Sequence, residues 1–382
     1  MTTRSALAIT FLAAAGALAT LPALAGQAAA SAGPAAAAPV PTAFVTSLDA
    51  NTVTPISTAT NKAGKAIGVG INPDDVAVTP NGKTAYVTNS GASTVSAIST
   101  ATRKVVKTIK VGKNPTFVAI TPDGETAYVS AGDNTVTPIS TASNTAGPAV
   151  KVPGGPGYIA VTPDGKTAYV ADVIAGEVTP ITVATNKPGK PVKVGKAPGF
   201  IAITPDGKTA YVADSNLRSN QVTPIHVATS TAAPPVKVGL HPTAIAITPD
   251  GKTAYVTCFN ANTEQGSVYP ITVAGNEPGK KIPVGGAPSH LAITPDGKTV
   301  FVTSGAGITP ISVATSKAAA PIAAGAGPWA IVITADGKTA YVTDDGTGMQ
   351  PGDTVTPVHI ATRTAGQAIK TGLSPVDIAL AP

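Results

Sequence analysis

Short apolar runs recur along this chain at a steady interval, each closed off by a polar turn. One unit reads I-A-I-T, then P-D-G-K, then T-A-Y-V, then a loop, then V-T-P-I, then a short basic stretch ending in V-G. Ile201 to Thr204, Thr209 to Val212, Val222 to Ile225 and Pro235 to Val238 are the apolar runs of one such unit. Short β-branched and aromatic runs bounded by Gly, Pro, Asn and Asp predict strands. Proline presets φ and glycine accepts the positive φ that closes a turn, so Pro205 to Lys208 predicts a hairpin. That turn recurs at Gly82, Gly124, Gly165, Gly207, Gly251, Gly297 and Gly337, with spacings of 42, 41, 42, 44, 46 and 40 residues. A period of about 40 to 45 residues with four short strands per unit predicts a β-propeller.

The two ends decide the blade count. The A-Y-V class starts early, at Ala43-Phe44-Val45, and the I-A-I class ends late, at Ile378-Ala379-Leu380. Each class then has eight members. The prediction is an all-β, single propeller of eight four-stranded blades, closed by a C-terminal strand that completes the N-terminal blade. Seven blades is the alternative, if one unit is displaced. An open ring would leave strand edges and an apolar blade face in water.

Two positions within the unit carry further expectations. Tyr86, Tyr128, Tyr169, Tyr211, Tyr255 and Tyr341 share one register and should pack between blades, as large residues opposite small ones. The third strand holds Pro55, Pro138, Pro180, Pro224, Pro270, Pro310 and Pro357, with Ala97 as the exception. Proline cannot donate to a ladder, so pairing to the fourth strand should be partial and the outer edge blunted.

Composition and the N-terminal segment refine this picture at four points. Gly (39) and Pro (36) are abundant, but periodic, so they mark turns and not disorder. Arg4, the apolar run Ser5 to Ala19 and Ala23-Leu24-Ala25 read as a secretory signal over 1–25, followed by an Ala/Pro-rich linker over 26–41 and the propeller over 42–382. The expectation is a secreted or envelope-associated monomer with no membrane span once the signal is removed. The single cysteine, Cys258, allows no internal disulfide. The formal charge of +6 comes from lysines recurring once or twice per repeat. They read as spread around the ring, which argues against a nucleic-acid partner.

The run Pro80 to Asn89, P-N-G-K-T-A-Y-V-T-N, and the run Pro249 to Thr257, P-D-G-K-T-A-Y-V-T, resemble the YVTN family of propeller repeats. The resemblance extends over about Pro41 to Pro382 and departs in the third-strand prolines. It implies a secreted or surface protein and says little about activity. Related propellers include haem and copper enzymes, lactonases and lyases. Four histidines are too few for a multi-histidine copper cluster, and no C-x-x-C-H, G-x-S-x-G or H-E-x-x-H occurs.

Function should lie where the repeat breaks. The second-to-third-strand loops are enlarged at Asp214 to Asn220, Cys258 to Gly266 and Asp344 to Asp353. With the fourth-to-first-strand loops they share one rim, opposite the uniform P-D-G-K turns. Candidate ligand-binding residues there are Arg218, His241, Asn260, Glu264, His290, Trp329, Asp344 and Asp345. A second set follows the V-G-x-x-P proline and should ring the channel mouth: Asp75, Phe117, Tyr158, Phe200 and Asp377. Asp74, Asp75 and Asp377 are candidate Ca²⁺ ligands, with capping of loop amides as the plainer reading. Without a complete catalytic constellation, the expected function is a non-catalytic binding or scaffold module for a protein, an envelope polymer or a small ligand. The alternative is a metal-assisted lactonase or lyase with His290 or His241 as base.

Overall fold

The computed structural model describes residues 41–347 and 350–382. The signal segment 1–25 and residues 26–40 of the linker lie outside the described residues. The described residues form strands and turns without helices, and the strands fall into eight separate antiparallel sheets. We number these blades 1 to 8 in chain order. Blade 1 contains Thr42–Ser47 and Thr52–Ser57, and the C-terminal Pro375–Ala381 pairs with Thr42–Ser47 through Thr42↔Ala381 and Val45↔Ile378. The last strand thus completes the first blade, and the count is eight.

The turns show why this sequence makes hairpins. In blade 5, Asp206 accepts hydrogen bonds from the Thr204 hydroxyl (2.6 Å) and the Lys208 amide (3.0 Å), while Gly207 sits at φ +70°. Each such glycine faces the turn proline of the preceding blade, and at closure Gly82 faces the C-terminal Pro382. One rim of the ring is therefore built from near-identical, interlocked turns.

The tyrosine register lies between blades, as expected. All six tyrosines are fully buried, and their hydroxyls reach into the following blade. Tyr86 donates to Asn144 (2.5 Å), Tyr128 to Asn186 (2.5 Å) and Tyr211 to Asn276 (2.5 Å), Tyr169 shares a hydrogen bond with Ser230 (3.0 Å), and Tyr255 bonds Ser316. Tyr341 of blade 8 donates to Asn61 of blade 1 and so takes part in closure. Phe44 and Phe301 occupy this register in blades 1 and 7. In the blades that follow them, the Asn/Ser position is Arg103 and Arg363, again with positive φ. Side-chain chemistry on the two sides of each blade interface is therefore matched: hydroxyl with amide or hydroxyl, phenyl with arginine.

Third-strand proline interrupts the fourth strand as expected. In blade 1 the fourth strand survives only as Lys62–Ala63 and Ile67–Gly68, on either side of Pro55, whose carbonyl accepts from the Gly64 amide (2.7 Å). In blade 2, Ala97 stands in place of proline, and the fourth strand runs as one piece, Lys104–Lys110, with a single β-bulge at Val106. Blade 4 has lysines at the same spacing in its outer segment, Lys187, Lys190 and Lys193, but on a split strand. In blade 2 Lys104, Lys107 and Lys110 share one strand, and the chain carries no acidic residue from Val76 to Pro122.

Candidate functional site

Each first strand starts with a proline at the loop rim and bulges within its next residues; Pro73 pairs with Asn89, but pairing then resumes only at Val76↔Val87. The bulge frees an amide, and the threonine of the Y-V-T motif takes it up. Asp75, Ala244, His290, Ala330 and Asp377 donate their backbone N–H to Thr88, Thr257, Thr303, Thr343 and Thr46 at 2.8 to 3.1 Å. In these five blades the device orients the second residue after the proline alike; in blades 3, 4 and 5 Ser130, Ala171 and Ala213 replace the threonine.

The contents of the channel divide into two halves. On one side, Asp377 of blade 1 and Asp75 of blade 2 hydrogen-bond each other through their carboxyls. Asp377 Oδ2 also accepts from Val76 N (3.0 Å), and Asp75 Oδ2 from Val118 N (2.7 Å), so each acid ties its blade to the next. Burial, reinforced by Asp377, pushes Asp75 well above the usual carboxylate range. Burial pushes Asp377 up to about 6, and burial plus Asp377 pushes Asp74 up to about 7. Two touching carboxylates cannot both stay charged in so dry a place, so the pair shares a proton. Asp74 Oδ1 and Asp75 Oδ1 are buried without a hydrogen-bond partner.

On the other side, the rings touch in sequence. Phe117 stacks on Tyr158 at 4.4 Å, Tyr158 meets Phe200 at 5.2 Å, Phe200 meets His290 edge-on at 5.8 Å, and His290 meets Trp329 at 5.3 Å. Phe200 is in blade 5 and His290 in blade 7, so their contact passes over the small Ala244 of blade 6. His290 Nδ1 lies 3.1 Å from the Trp329 carbonyl; a carbonyl only accepts, so Nδ1 carries the proton. These rings pack against one another in an unbroken series from blade 3 to blade 8.

The structure divides the rim candidates. His290 and Trp329 belong to the channel ladder. Arg218 and Glu264 are exposed on separate loops, and Asn260 is half-buried, holding the Asn262 amide at 3.0 Å. His241 adopts φ +48°, its Nδ1 is buried without a partner, and burial lowers its pKa. Asp344 is buried, with Oδ2 accepting from Thr354 (2.8 Å) and Thr356 (2.7 Å), and burial raises its pKa. Asp345 is half-buried, raised by burial and by the charge of Asp49. Among the described residues, no three His, Cys, Asp or Glu side chains gather as a metal site.

Two features escaped the reading of the sequence. Asp172 and Asp214 occupy the register of Asp344 and of Asn89, at the rim end of the second strand. Asp214 accepts from Gly195 N (3.1 Å) and Thr223 Oγ1 (3.0 Å), and Asp172 from Thr179 Oγ1 (2.5 Å); burial pushes both up to about 7. Their shared register was the available signal. The second feature is apolar exposure. Ile174 (84% exposed), Leu217 (64%), Ile71 (56%) and Leu373 (47%) all stand in loops of this rim. The signal was an apolar residue at a loop position, as Ile71 in V-G-I-N-P. A groove of about 840 Å³ between the outer edges of blades 4 and 5, lined by Glu177, Lys190 and Lys193, lies away from the channel.

The chain matches no protein-family model and no curated protein. Among solved structures it is similar to Kuenenia stuttgartiensis hydrazine synthase, at 20% identity and TM-score 0.58, covering 78% of this chain and 95% of that one. It is similar to a functionally unknown protein from Desulfotomaculum acetoxidans at 20% identity and TM-score 0.60, covering 73% and 94%. It is also similar to the dihydro-heme d1 dehydrogenase NirN at 14% identity and TM-score 0.71, covering 92% and 77%. At such identities these likenesses are of fold, and the fold is an eight-bladed β-propeller.

Proposed function

We propose that this chain is an exported, YVTN-type propeller that acts without catalysis, by docking a partner protein on its loop rim. The observation that carries this reading is the distribution of exposed apolar side chains. Of the five large ones among the described residues, Ile71, Ile174, Leu217 and Leu373 stand on the loop rim and the fifth, Val106, on an outer strand. The turn rim offers none. Ile71 and Leu373 flank the loops entering blades 2 and 1, and Ile174 and Leu217 the loops of adjacent blades 4 and 5, which gives two apolar footholds around the channel mouth. Apolar anchors within a polar rim are the usual anatomy of a protein-docking face. The channel contributes rigidity, since its rings and acids bind each other.

The test is site-specific photo-crosslinking in the source cells. A photoreactive residue in place of Ile174 or Leu373 should give an adduct of one defined mass, lost when Leu217 and Ile71 are changed to Ser. The same residue in place of Lys208, on the turn rim, should give none. Equal labelling of both rims overturns the docking reading. A lactonase or lyase turnover that disappears in His290→Ala overturns the non-catalytic one.

A further inference from the structure

The outer strand of blade 2 differs from its seven counterparts in three coupled ways. The third-strand residue is Ala97 where the others have proline. The fourth-strand residue in the sequence position of Gly64 and Gly189, where the others have Gly or Ala, is Val106, which forms a β-bulge so that Ala97 pairs with Lys107. The fourth strand is consequently continuous over Lys104–Lys110, and it is the last strand of its sheet, so no strand pairs with its outer side. We propose that this edge accepts an extended acidic peptide as a fifth strand of blade 2, a second binding surface independent of the loop rim.

Three observations support an acidic peptide as the occupant. Lys104, Lys107 and Lys110 are exposed and form none of the ion pairs among the described residues, which are all within turns or between Lys370 and Asp353. The only acids of blade 2, Asp74 and Asp75, are buried at the channel and cannot neutralise them. Val106, 53% exposed, supplies an apolar contact within the basic stretch. Strand addition takes affinity from main-chain hydrogen bonds and selectivity from alternating side chains. Lysines on an edge are also a device against self-pairing. The two roles agree: three lysines repel a second copy of the same strand and attract a strand bearing Glu or Asp, because opposite charges across a strand pair stabilise it and like charges do not. A flexible polyanion would use the same charges but not the unbroken backbone, and that difference separates it from a peptide.

The experiment measures binding of a fluorescein-labelled short peptide alternating Glu with Val or Thr, with heparin as the polyanion and a same-charge peptide carrying alternate prolines as the strand-incompetent control. Wild-type protein should bind the first peptide saturably and the proline peptide about tenfold more weakly. The double variant A97P/V106G restores the arrangement of the other blades and keeps every charge. It should lower peptide affinity about tenfold and leave heparin binding unchanged. K104Q/K107Q/K110Q should weaken both. Hydrogen exchange on the wild-type protein gives a readout free of folding effects: the peptide should protect amides within Lys104–Lys110. Absence of saturable peptide binding, equal binding of the two peptides, or unchanged peptide affinity in A97P/V106G overturns the proposal, the last two in favour of a plain polyanion surface.

Discussion

Blade 2 and blade 4 use the same inner three strands for the same purpose. Thr84–Asn89 and Thr167–Asp172 pair residue for residue with their third strands, and Tyr86 and Tyr169 are buried against the next blade. Away from this shared layer they diverge. Blade 2 has Asn89 at the rim, Asn81 in the turn and an unbroken lysine edge, whereas blade 4 has Asp172, Asp164 and Pro180, with Pro188 and Pro191 further interrupting its outer strand. The difference shows which positions the ring requires. Interfaces between blades are constrained to one solution with small variations, while the rim register is free to change charge and the outer edge its continuity, since Lys187, Lys190 and Lys193 repeat the lysine spacing of blade 2 on a split strand.

The sharpest test of the shared layer is its removal from both blades. Tyr86→Ala and Tyr169→Ala should each lose about 3 to 5 kcal/mol, the usual cost of deleting a fully buried aromatic. Urea denaturation should give the two losses within about 1 kcal/mol of each other, since both rings are buried and both hydroxyls are bonded. A markedly smaller loss at Tyr169 would show that the blades do not share one interface.

The rim register should separate the blades by pH. In the folded protein burial holds the Asp172 carboxyl up to about 7, from an ordinary value of 3.8. Between those two values the folded state keeps a proton that the unfolded chain has lost. Asp172 therefore makes stability fall as pH rises from about 4 to about 7, and above that the whole loss is present. Asp172→Asn removes this pH dependence, and Asn89 shows that the amide fits the site, bonding Gly70 N (3.1 Å) and Ser96 (3.0 Å). The variant should match wild type near pH 4 and exceed it by roughly 1 to 3 kcal/mol at pH 8. The reciprocal Asn89→Asp should add the same slope to blade 2. Urea melts at pH 4, 6 and 8 measure both, and an Asp172→Asn variant no more stable at pH 8 than at pH 4, relative to wild type, would refute the assignment.

The sequence disclosed what repeats. Strand order, closure through Ile378 and the split outer strands follow from local patterns of two residues' period and from proline's missing donor, so they could be read without coordinates. Features that depend on the diameter of the closed ring could not. Phe200 and His290 are 90 residues apart and meet only because eight blades bring them across Ala244. Counting lysines per repeat likewise hid that Lys104, Lys107 and Lys110 share one strand, because its continuity depends on Ala97 and Val106 together and on the lack of further prolines there. The rim aspartates were visible as letters, but their burial depends on loops from the neighbouring unit, such as Gly195 over Asp214.

The outer edge offers a smaller effect. Pro180→Ala should lose about 0.5 to 1 kcal/mol, mostly by giving the unfolded chain more freedom. It should not make blade 4 resemble blade 2. Pro188 and Pro191 still deny two amides to the ladder, so hydrogen exchange from Lys187 to Lys193 should stay fast. Protection appearing there would mean that Pro180 alone breaks the edge.

The turns should distinguish the blades least, although they look most different in charge. Lys166 and Asp164 form an ion pair at 3.5 Å in blade 4, while blade 2 has Asn81 and no such pair. Both lysine and aspartate are largely solvent-exposed, so Coulomb attraction is screened and two long side chains lose rotamer freedom. The hydrogen bonds do not need the charge. Asn81 Oδ1 accepts from Thr79 Oγ1 (2.8 Å) and Lys83 N (3.0 Å), as Asp164 Oδ1 does from Thr162 Oγ1 (2.6 Å) and Lys166 N (3.1 Å). Lys166→Ala and Asp164→Asn should therefore each change stability by less than about 0.5 kcal/mol at neutral pH. Asp164→Ala should cost more, about 1 kcal/mol, because it leaves the Lys166 amide and the Thr162 hydroxyl without their acceptor. If Lys166→Ala cost as much as Asp164→Ala, the ion pair and not the hydrogen-bonded turn would be what holds this rim, and blade 2 would be its weak point.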